Sequence, residues 1–262
     1  MKKLVIIIYL LSSLLAVSQT DNESYFNNGL DLYNQGKYLE AISQFQLIIE
    51  NGEHSDALYF NLGNSFYKIN DIANSIYYYE KALKLNPNEK DVLNNLSYSQ
   101  NMLIDKIDKL PINQVSQFFN SLSNTLSINQ WLFFGIVFLY LSLGTFFLYY
   151  FNNKTSAKKN YFTFSALFLV LFNVFLFSGI NRFENEKNNI SAIIFENIID
   201  FRMEPNYRSD VLFNLHEGTK VVVKDELNDW TLIQISDGNT GWIESELIKK
   251  IDWLLIRVKK IN

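Results

Sequence analysis

Apolar positions along this 262-residue chain fall into four textures. A short run, Leu4 to Leu15, follows Lys2 and Lys3 and precedes the small residues "AVS". A basic start, a short apolar stretch and a small-residue site predict a secretory signal peptide over residues 1–18, cut after Ser18, with an uncleaved anchor as the alternative. From residue 22 to residue 110 apolar side chains recur every three to four positions, the spacing of helices with one buried face. Residues 131–151 and 161–180 are continuous apolar runs without a charge, each long enough to cross a hydrocarbon core of ~30 Å. Beyond residue 190 the texture shifts to short β-branched and aromatic runs divided by "EGT", "LNDW" and "SDGNTGW", which predict five or six short strands.

The break between the two long runs, "FNNKTSAKKNYF", carries Lys154, Lys158 and Lys159 and no acid. Short loops rich in lysine stay in the cytoplasm, so residues 152–160 read as the inner turn of a two-span hairpin. Both flanks then lie on the far side, where the signal peptide also sends the N-terminal part. The predicted location is a bacterial inner membrane with the lipid bilayer around two spans and both soluble parts periplasmic. Trp131, Tyr149, Tyr150 and Tyr161 are expected as interfacial anchors. Asn173, the one strongly polar side chain in either span, is expected to hydrogen-bond the companion helix. Residues 111–130 hold Phe118, Phe119, Leu122 and Leu126 at helical spacing and no charge. They predict an amphipathic linker that lies on the membrane surface or packs on the preceding helices; the pattern does not separate the two.

Within the helical segment the chain resembles itself at an offset of 34 residues: Tyr25 and Tyr59, Gly29 and Gly63, Ala41 and Ser75, Phe45 and Tyr79, with Pro87 closing the second copy. That period and pattern resemble the tetratricopeptide repeat, a helix-turn-helix unit. The two glycines let paired helices approach closely, and Gly36 in "YNQGKY" suits a helix C-terminus. Residues 19–110 therefore read as two repeats and a capping helix, whose Leu93, Leu96 and Ser97 continue the register. The resemblance implies a partner-binding groove lined by the first helix of each unit. That places Phe26, Leu30, Tyr33, Phe60, Asn64, Tyr67, Lys68, Asn94, Tyr98 and Asn101 on it. Asn64 and Lys68 are candidates to hold a peptide backbone or carboxylate, with an ordinary solvated lysine as the equal alternative for Lys68.

The string "VLFNLHEGTKV…DWTLIQISDGNTGWI" resembles the bacterial SH3-like domain and assigns residues 191–251 to a small barrel. Gly218 is expected to serve the turn after "LHE", and Gly238 with Gly241 to shape a tight hairpin. Trp242 is expected in the core, whereas Trp230 shows a face to solvent, joined by Phe201 and Tyr207 as a second partner-binding face. The tail 252–262 is too apolar for a free end and reads as a last strand or packed segment. The fold class is thus multidomain: an all-α tetratricopeptide array, a two-helix transmembrane hairpin and a small all-β SH3-like barrel.

Composition removes several function classes. The chain has no cysteine, which excludes disulfides, thiolate metal sites and cysteine nucleophiles. Its two histidines, His54 and His216, are far apart and read as loop or surface residues, so no metal site is expected. A net charge of −4 without a basic cluster argues against nucleic acid. No nucleophile motif or acid–base constellation is visible, so no catalytic residues, no cofactor and no enzyme activity are expected. The order of parts resembles the BatE family, the tetratricopeptide proteins of the Bacteroides aerotolerance (Bat) operon. That resemblance implies a membrane-held scaffold acting on other membrane or periplasmic proteins, Bat-type von Willebrand A-domain proteins among them, with a MoxR-type ATPase encoded nearby. Peptidoglycan binding through the SH3-like part is the alternative, and a sensor of periplasmic signals the third class.

Overall fold

The computed structural model describes residues 21–108, 121–123, 125–188 and 190–251. The expected signal peptide, most of the expected linker and the C-terminal tail lie outside them. The described residues form two compact units, one from residues 21–108 together with 190–251, the other from the hairpin between them.

In the first unit, α1 covers residues 21–34. It is followed by α2 (Tyr38–Glu50), α3 (Asp56–Lys68), α4 (Ile72–Leu85) and α5 (Lys90–Asn101). Local chemistry sets the boundaries. Ser55 accepts the Leu58 N–H and Asp71 the Asn74 N–H, the N-cap bonds that satisfy otherwise orphaned donors. At the end of α1, Gly36 adopts φ +78°, and 34 residues later Asn70 takes φ +62° in the equivalent turn. Both turns return N–H bonds to the preceding helix in the same pattern, Lys37 to Leu32 and Asp71 to Phe66. The repeat is therefore written in turn conformation as well as in the core.

Gly29 and Gly63 do what their spacing suggests. A Cβ at either would stand 2.5 Å from a ring, that of Phe45 and that of Tyr79 respectively. The core formed around them fully buries Phe45, Tyr59, Leu62, Ile76 and Tyr79, and burying a side chain of that size contributes about 1.5–3 kcal/mol. The capping helix sits in a different register from the one expected. Val92, Leu96 and Ser99 are buried, while Leu93 and Ser97 face solvent. The reason is a buried contact between the hydroxyls of Ser75 and Ser99, 3.0 Å apart, which turns that face of α5 inward. The helix stops at Asn101, and residues 103–108 leave it in non-helical conformation.

Seven strands follow: β1 (Ile190–Ile194), β2 (Ile198–Arg202), β3 (Val211–His216), β4 (Lys220–Leu227), β5 (Trp230–Gln234), β6 (Thr240–Glu244) and β7 (Ile248–Lys250). They form one antiparallel sheet in the order β3-β2-β6-β5-β4-β1-β7. The count exceeds the expected five or six because β7 is only three residues long and leaves no alternation to read. Gly218 (φ +81°) and Gly238 (φ +91°) make the expected turns. Gly241 does not: it lies within β6, where a Cβ would stand 2.7 Å from the Phe201 ring, so it makes room for a core aromatic.

The helices and the sheet share a core. Ile193 and Ile251, both fully buried, belong to the helical cluster, and Ile107 packs against the barrel cluster. Tyr77 meets Phe195 edge-on at 5.8 Å between ring centroids. Polar bonds tie the same junction: Lys220 Nζ to Glu80 at 2.7 Å, Lys84 Nζ to the Ile251 carbonyl at 2.6 Å, and Asp105 to His216 and Thr219.

The second unit pairs α6 (Ile128–Phe151) with α7 (Thr155–Asn188). A capping box between Ser127 and Gln130 starts α6 three residues before the expected span. The turn is only residues 152–154, because nothing in "TSAKKN" stops a helix, so Lys158 and Lys159 ride on the first turns of α7. Among the described residues two helices are long and apolar enough to cross a membrane, Ile128–Phe151 and Thr155–Asn185. Phe133, Tyr140, Phe147 and Phe177 are all exposed on them, unlike the side chains of a buried core helix. Between the helices the Ser142 hydroxyl donates to the Ser165 carbonyl at 2.9 Å, and the Ser165 hydroxyl returns a bond to Ser142 at 3.1 Å.

Two expectations fail here. Asn173 is exposed on α7 and donates to the Leu169 carbonyl of its own helix, so the serines and not the asparagine join the spans. Trp131 is buried, with its ring on Phe175 and its indole N–H on the Ser123 carbonyl, so it packs the hairpin instead of standing at an interface.

Candidate functional site: a polar cleft on the helical array

Helices α1, α3, α4 and α5 enclose a cleft of about 190 Å³ lined by Tyr33, Asn64, Tyr67, Lys68, Tyr79, Asn95 and Tyr98. Five of these were expected from the sequence: Tyr33, Asn64, Tyr67, Lys68 and Tyr98. Asn64 sits at its centre. Its side-chain oxygen accepts the Tyr79 hydroxyl at 2.6 Å and the Asn95 amide at 2.8 Å, which locks the rotamer and leaves its own amide N–H groups to donate outward. Asn64 is thus part of the scaffold as well as of the surface. Burial raises the pKa of the Tyr79 hydroxyl, against hydrogen bonds that lower it, so at neutral pH it stays a proton donor. Burial, then the neighbouring Tyr38, raises that of Tyr33.

Lys68 ends α3 exposed and makes no ion pair among the described residues. Tyr98 is 63% exposed and offers an uncovered ring. The cleft therefore presents one cation, amide and phenol donors and flat aromatic surface, a mixture that suits protein recognition and contains no general base beside a nucleophile.

The remaining candidates stand outside it. Phe26, Leu30 and Phe60 are half-buried and pack against the helical core. Asn94 and Asn101 are exposed on α5 but do not line the cleft. Asn95, one residue along, takes the place expected of Asn94.

A second cluster was not singled out from the sequence, although the spacing of Tyr77 and Tyr78 from Lys81 puts all three on one face of α4. The Lys81 ammonium lies 4.5 Å from the ring centre of Tyr59, 5.2 Å from Tyr77 and 5.9 Å from Tyr78. Burial lowers its pKa to about 8. His54, whose Nδ1 is 2.7 Å from the Tyr59 hydroxyl, is pushed down by burial and then by Lys81. Neither His54 nor His216 is a free surface group, since His216 is held by Asp105.

On the barrel the expected face is rearranged. Phe201 is fully buried, its ring 4.9 Å from Phe213 and packed on Gly241, so it belongs to the core and not to a binding surface. Trp230 is buried to 9% exposure because Tyr207, from the loop before β3, closes over it edge-on at 5.1 Å. Tyr207 is 69% exposed and donates its hydroxyl to Glu244 at 3.0 Å, and that bond raises its pKa. Trp242, expected in the core, is half-buried in β6. Of the three residues proposed for this face, only Tyr207 is openly presented.

Comparison with known proteins gives two matches. The tetratricopeptide repeat family matches residues 57–89, which run from α3 through α4. The bacterial SH3 domain family matches residues 199–249, from β2 to β7. No curated protein matches the chain. The first helix pair, α1 and α2, lies outside the matched residues but repeats the glycine–aromatic contact and the turn of the second. The chain carries a tetratricopeptide repeat and a bacterial SH3 domain, two modules that typically bind other molecules rather than catalyse.

Proposed function

We propose that this protein is a scaffold held in the bacterial inner membrane, with its helical array and barrel in the periplasm, that binds a protein partner in the cleft around Asn64 and Lys68. The observation that carries the reading is the cleft itself: an unpaired cation and exposed ring beside a fixed amide, on a repeat whose known use is protein binding. The topology is supported by the packing of residues 21–108 and 190–251 as one unit. Segments that share a core lie on one side of a bilayer, and a two-helix hairpin returns the chain to the side it left. The order of parts favours a place in a Bat-type envelope complex beside von Willebrand A-domain proteins.

The test is recovery of partners from solubilised membranes by wild-type protein and by a Lys68→Ala/Tyr98→Ala variant. Both side chains are exposed, so the fold is spared, whereas Asn64→Ala would strand the Tyr79 and Asn95 donors. Loss of a specific partner supports the cleft; equal recovery of every partner overturns it. A second reading, peptidoglycan binding, is favoured by the bacterial SH3 match and the open Tyr207 ring. Sedimentation of the protein with purified sacculi, abolished by Tyr207→Ala, would establish it.

A further inference from the structure

Three lysines of the helix–barrel unit end on oxygens. Lys220 reaches Glu80 at 2.7 Å, Lys250 reaches Glu226 at 2.6 Å, and Lys84 donates to the Ile251 carbonyl at 2.6 Å. Lys81, on the same helix as Lys84, has no such acceptor and no carboxylate partner among the described residues. Its Nζ lies instead over the rings of Tyr59 from α3 and of Tyr77 and Tyr78 from α4 itself, 4.5, 5.2 and 5.9 Å from their centres. The remaining titratable neighbour, His54 in the loop before α3, is another base, and its Nδ1 is engaged by the Tyr59 hydroxyl at 2.7 Å.

Lys81 is half-buried, yet its amine is within reach of solvent. Among the described residues every fully enclosed side-chain nitrogen or oxygen has a hydrogen-bond partner, and Lys81 Nζ has none, so it is not fully enclosed. Taking an ammonium partly out of water with no anion beside it favours the neutral amine. The pKa accordingly falls to about 8. A neutral amine has a lone pair with which to attack, and desolvation is how lysines become nucleophiles. The rings then select among products. An amide would be uncharged and would give up the attraction of three ring faces for a cation, whereas an iminium keeps its positive charge above them.

We propose that Lys81 is a covalent capture site for small, uncharged aldehydes, held as a Schiff base against Tyr59, Tyr77 and Tyr78. The Nζ lone pair bonds to the carbonyl carbon as the C=O π bond breaks, and a proton passes from nitrogen to oxygen through water to give a carbinolamine. That hydroxyl then takes one proton from solvent and leaves as water while the C=N bond forms. Amine, aldehyde and one proton thus become iminium and water, with nothing oxidised or reduced. The site shares no residue with the helical cleft, so either can fail without the other.

The experiment treats the full chain in detergent micelles at pH 7.5 with limiting propanal and cyanoborohydride, which delivers a hydride to the iminium and fixes it as a secondary amine. Labelled lysines are mapped by peptide mass, with Lys81→Arg to assign the Lys81 peptide. Two exposed lysines serve as references: Lys68, which has no ion pair among the described residues, and Lys249, which lies 3.8 Å over the single ring of Phe195. Lys81 is expected to be labelled about tenfold or more faster than either, because a larger share of it is neutral. Protein unfolded in guanidinium chloride should lose that preference. Trace acetic anhydride reads the neutral amine alone: its rate at Lys81 should level off above about pH 8, and the advantage of Lys81 should be smaller than with propanal. Propanal labelling no faster than at the references, a preference that survives unfolding, or an advantage equal for the two reagents overturns the proposal.

Discussion

Asp105 holds His216 at two points. One carboxylate oxygen lies 2.7 Å from the ring Nδ1, and the other accepts the backbone N–H at 2.8 Å and the Thr219 hydroxyl at 2.6 Å. Burial alone would raise the Asp105 pKa, but the Thr219 and His216 donors hold it below the usual carboxylate range. A folded pKa below the unfolded one contributes stability above the unfolded value, and that stability is lost as pH falls through the folded value. Acid below about pH 4 is therefore expected to loosen the joint between helices and barrel. Asp105→Ala leaves the buried Thr219 hydroxyl and the His216 N–H without an acceptor and should cost about 1–3 kcal/mol. Denaturant titration in mild detergent at neutral and acid pH checks both; an unchanged midpoint in the variant would refute the joint's contribution.

Lys81 should give the opposite pH response. Its folded pKa of about 8 lies below the ordinary 10.5. The unfolded chain then binds more protons between those values, so this group's contribution to stability rises with pH across that window. Lys81→Met should remove the rise and stabilise the protein at pH 7 by roughly 1 kcal/mol, since the Tyr59, Tyr77 and Tyr78 rings offset only part of the desolvation. Melting curves at pH 7 and pH 9.5 decide it, and a variant that keeps the wild-type slope would count against the buried amine.

In the hairpin, the reciprocal Ser142 and Ser165 bonds predict a measurable coupling. Each serine-to-alanine change should weaken helix pairing by about 0.6 kcal/mol, up to roughly 2, and the double change by less than the sum. Unfolding titrations in mixed micelles give the cycle. Strict additivity would mean that the two hydroxyls act independently.

Topology is open to direct labelling because the native chain has no cysteine. Ser97, Ser156 and Ser236 are all exposed. Cysteines placed there should react with an impermeant reagent at positions 97 and 236 in cells with an opened outer membrane, and at 156 only after the inner membrane is breached. Reaction at 156 alone would invert the assigned orientation.

The helical half was legible because each repeat position acts on near neighbours in the chain. Gly63 clears Tyr79, and Asn70 turns the chain where Gly36 did. The cleft was legible to the resolution of one residue. Asn94 and Asn95 look alike in sequence but point about 100° apart on a helix, and only the neighbouring Asn64 and Ser99 decide which faces inward. The burial of Trp230 was not legible because its cover, Tyr207, arrives from a loop with no periodicity to read. Lys81 drew no reading from the sequence, although Tyr77 and Tyr78 stand four and three residues before it on one helix face; the third ring, Tyr59, comes from the preceding helix and has no local signal. The joint between helices and barrel was invisible for a simpler reason: Asp105 and His216 are 111 residues apart, with two apolar helices between them.

Ile193 and Ile251 complete the helical core, yet both are encoded beyond the hairpin. A ribosome making this chain delivers α1 to α5 first, so the contacts that Ile193 and Ile251 add to that core form only after the hairpin and the strands have been made. A chain cut short inside the hairpin would therefore keep part of its helical core uncovered, and only the full-length chain can close it.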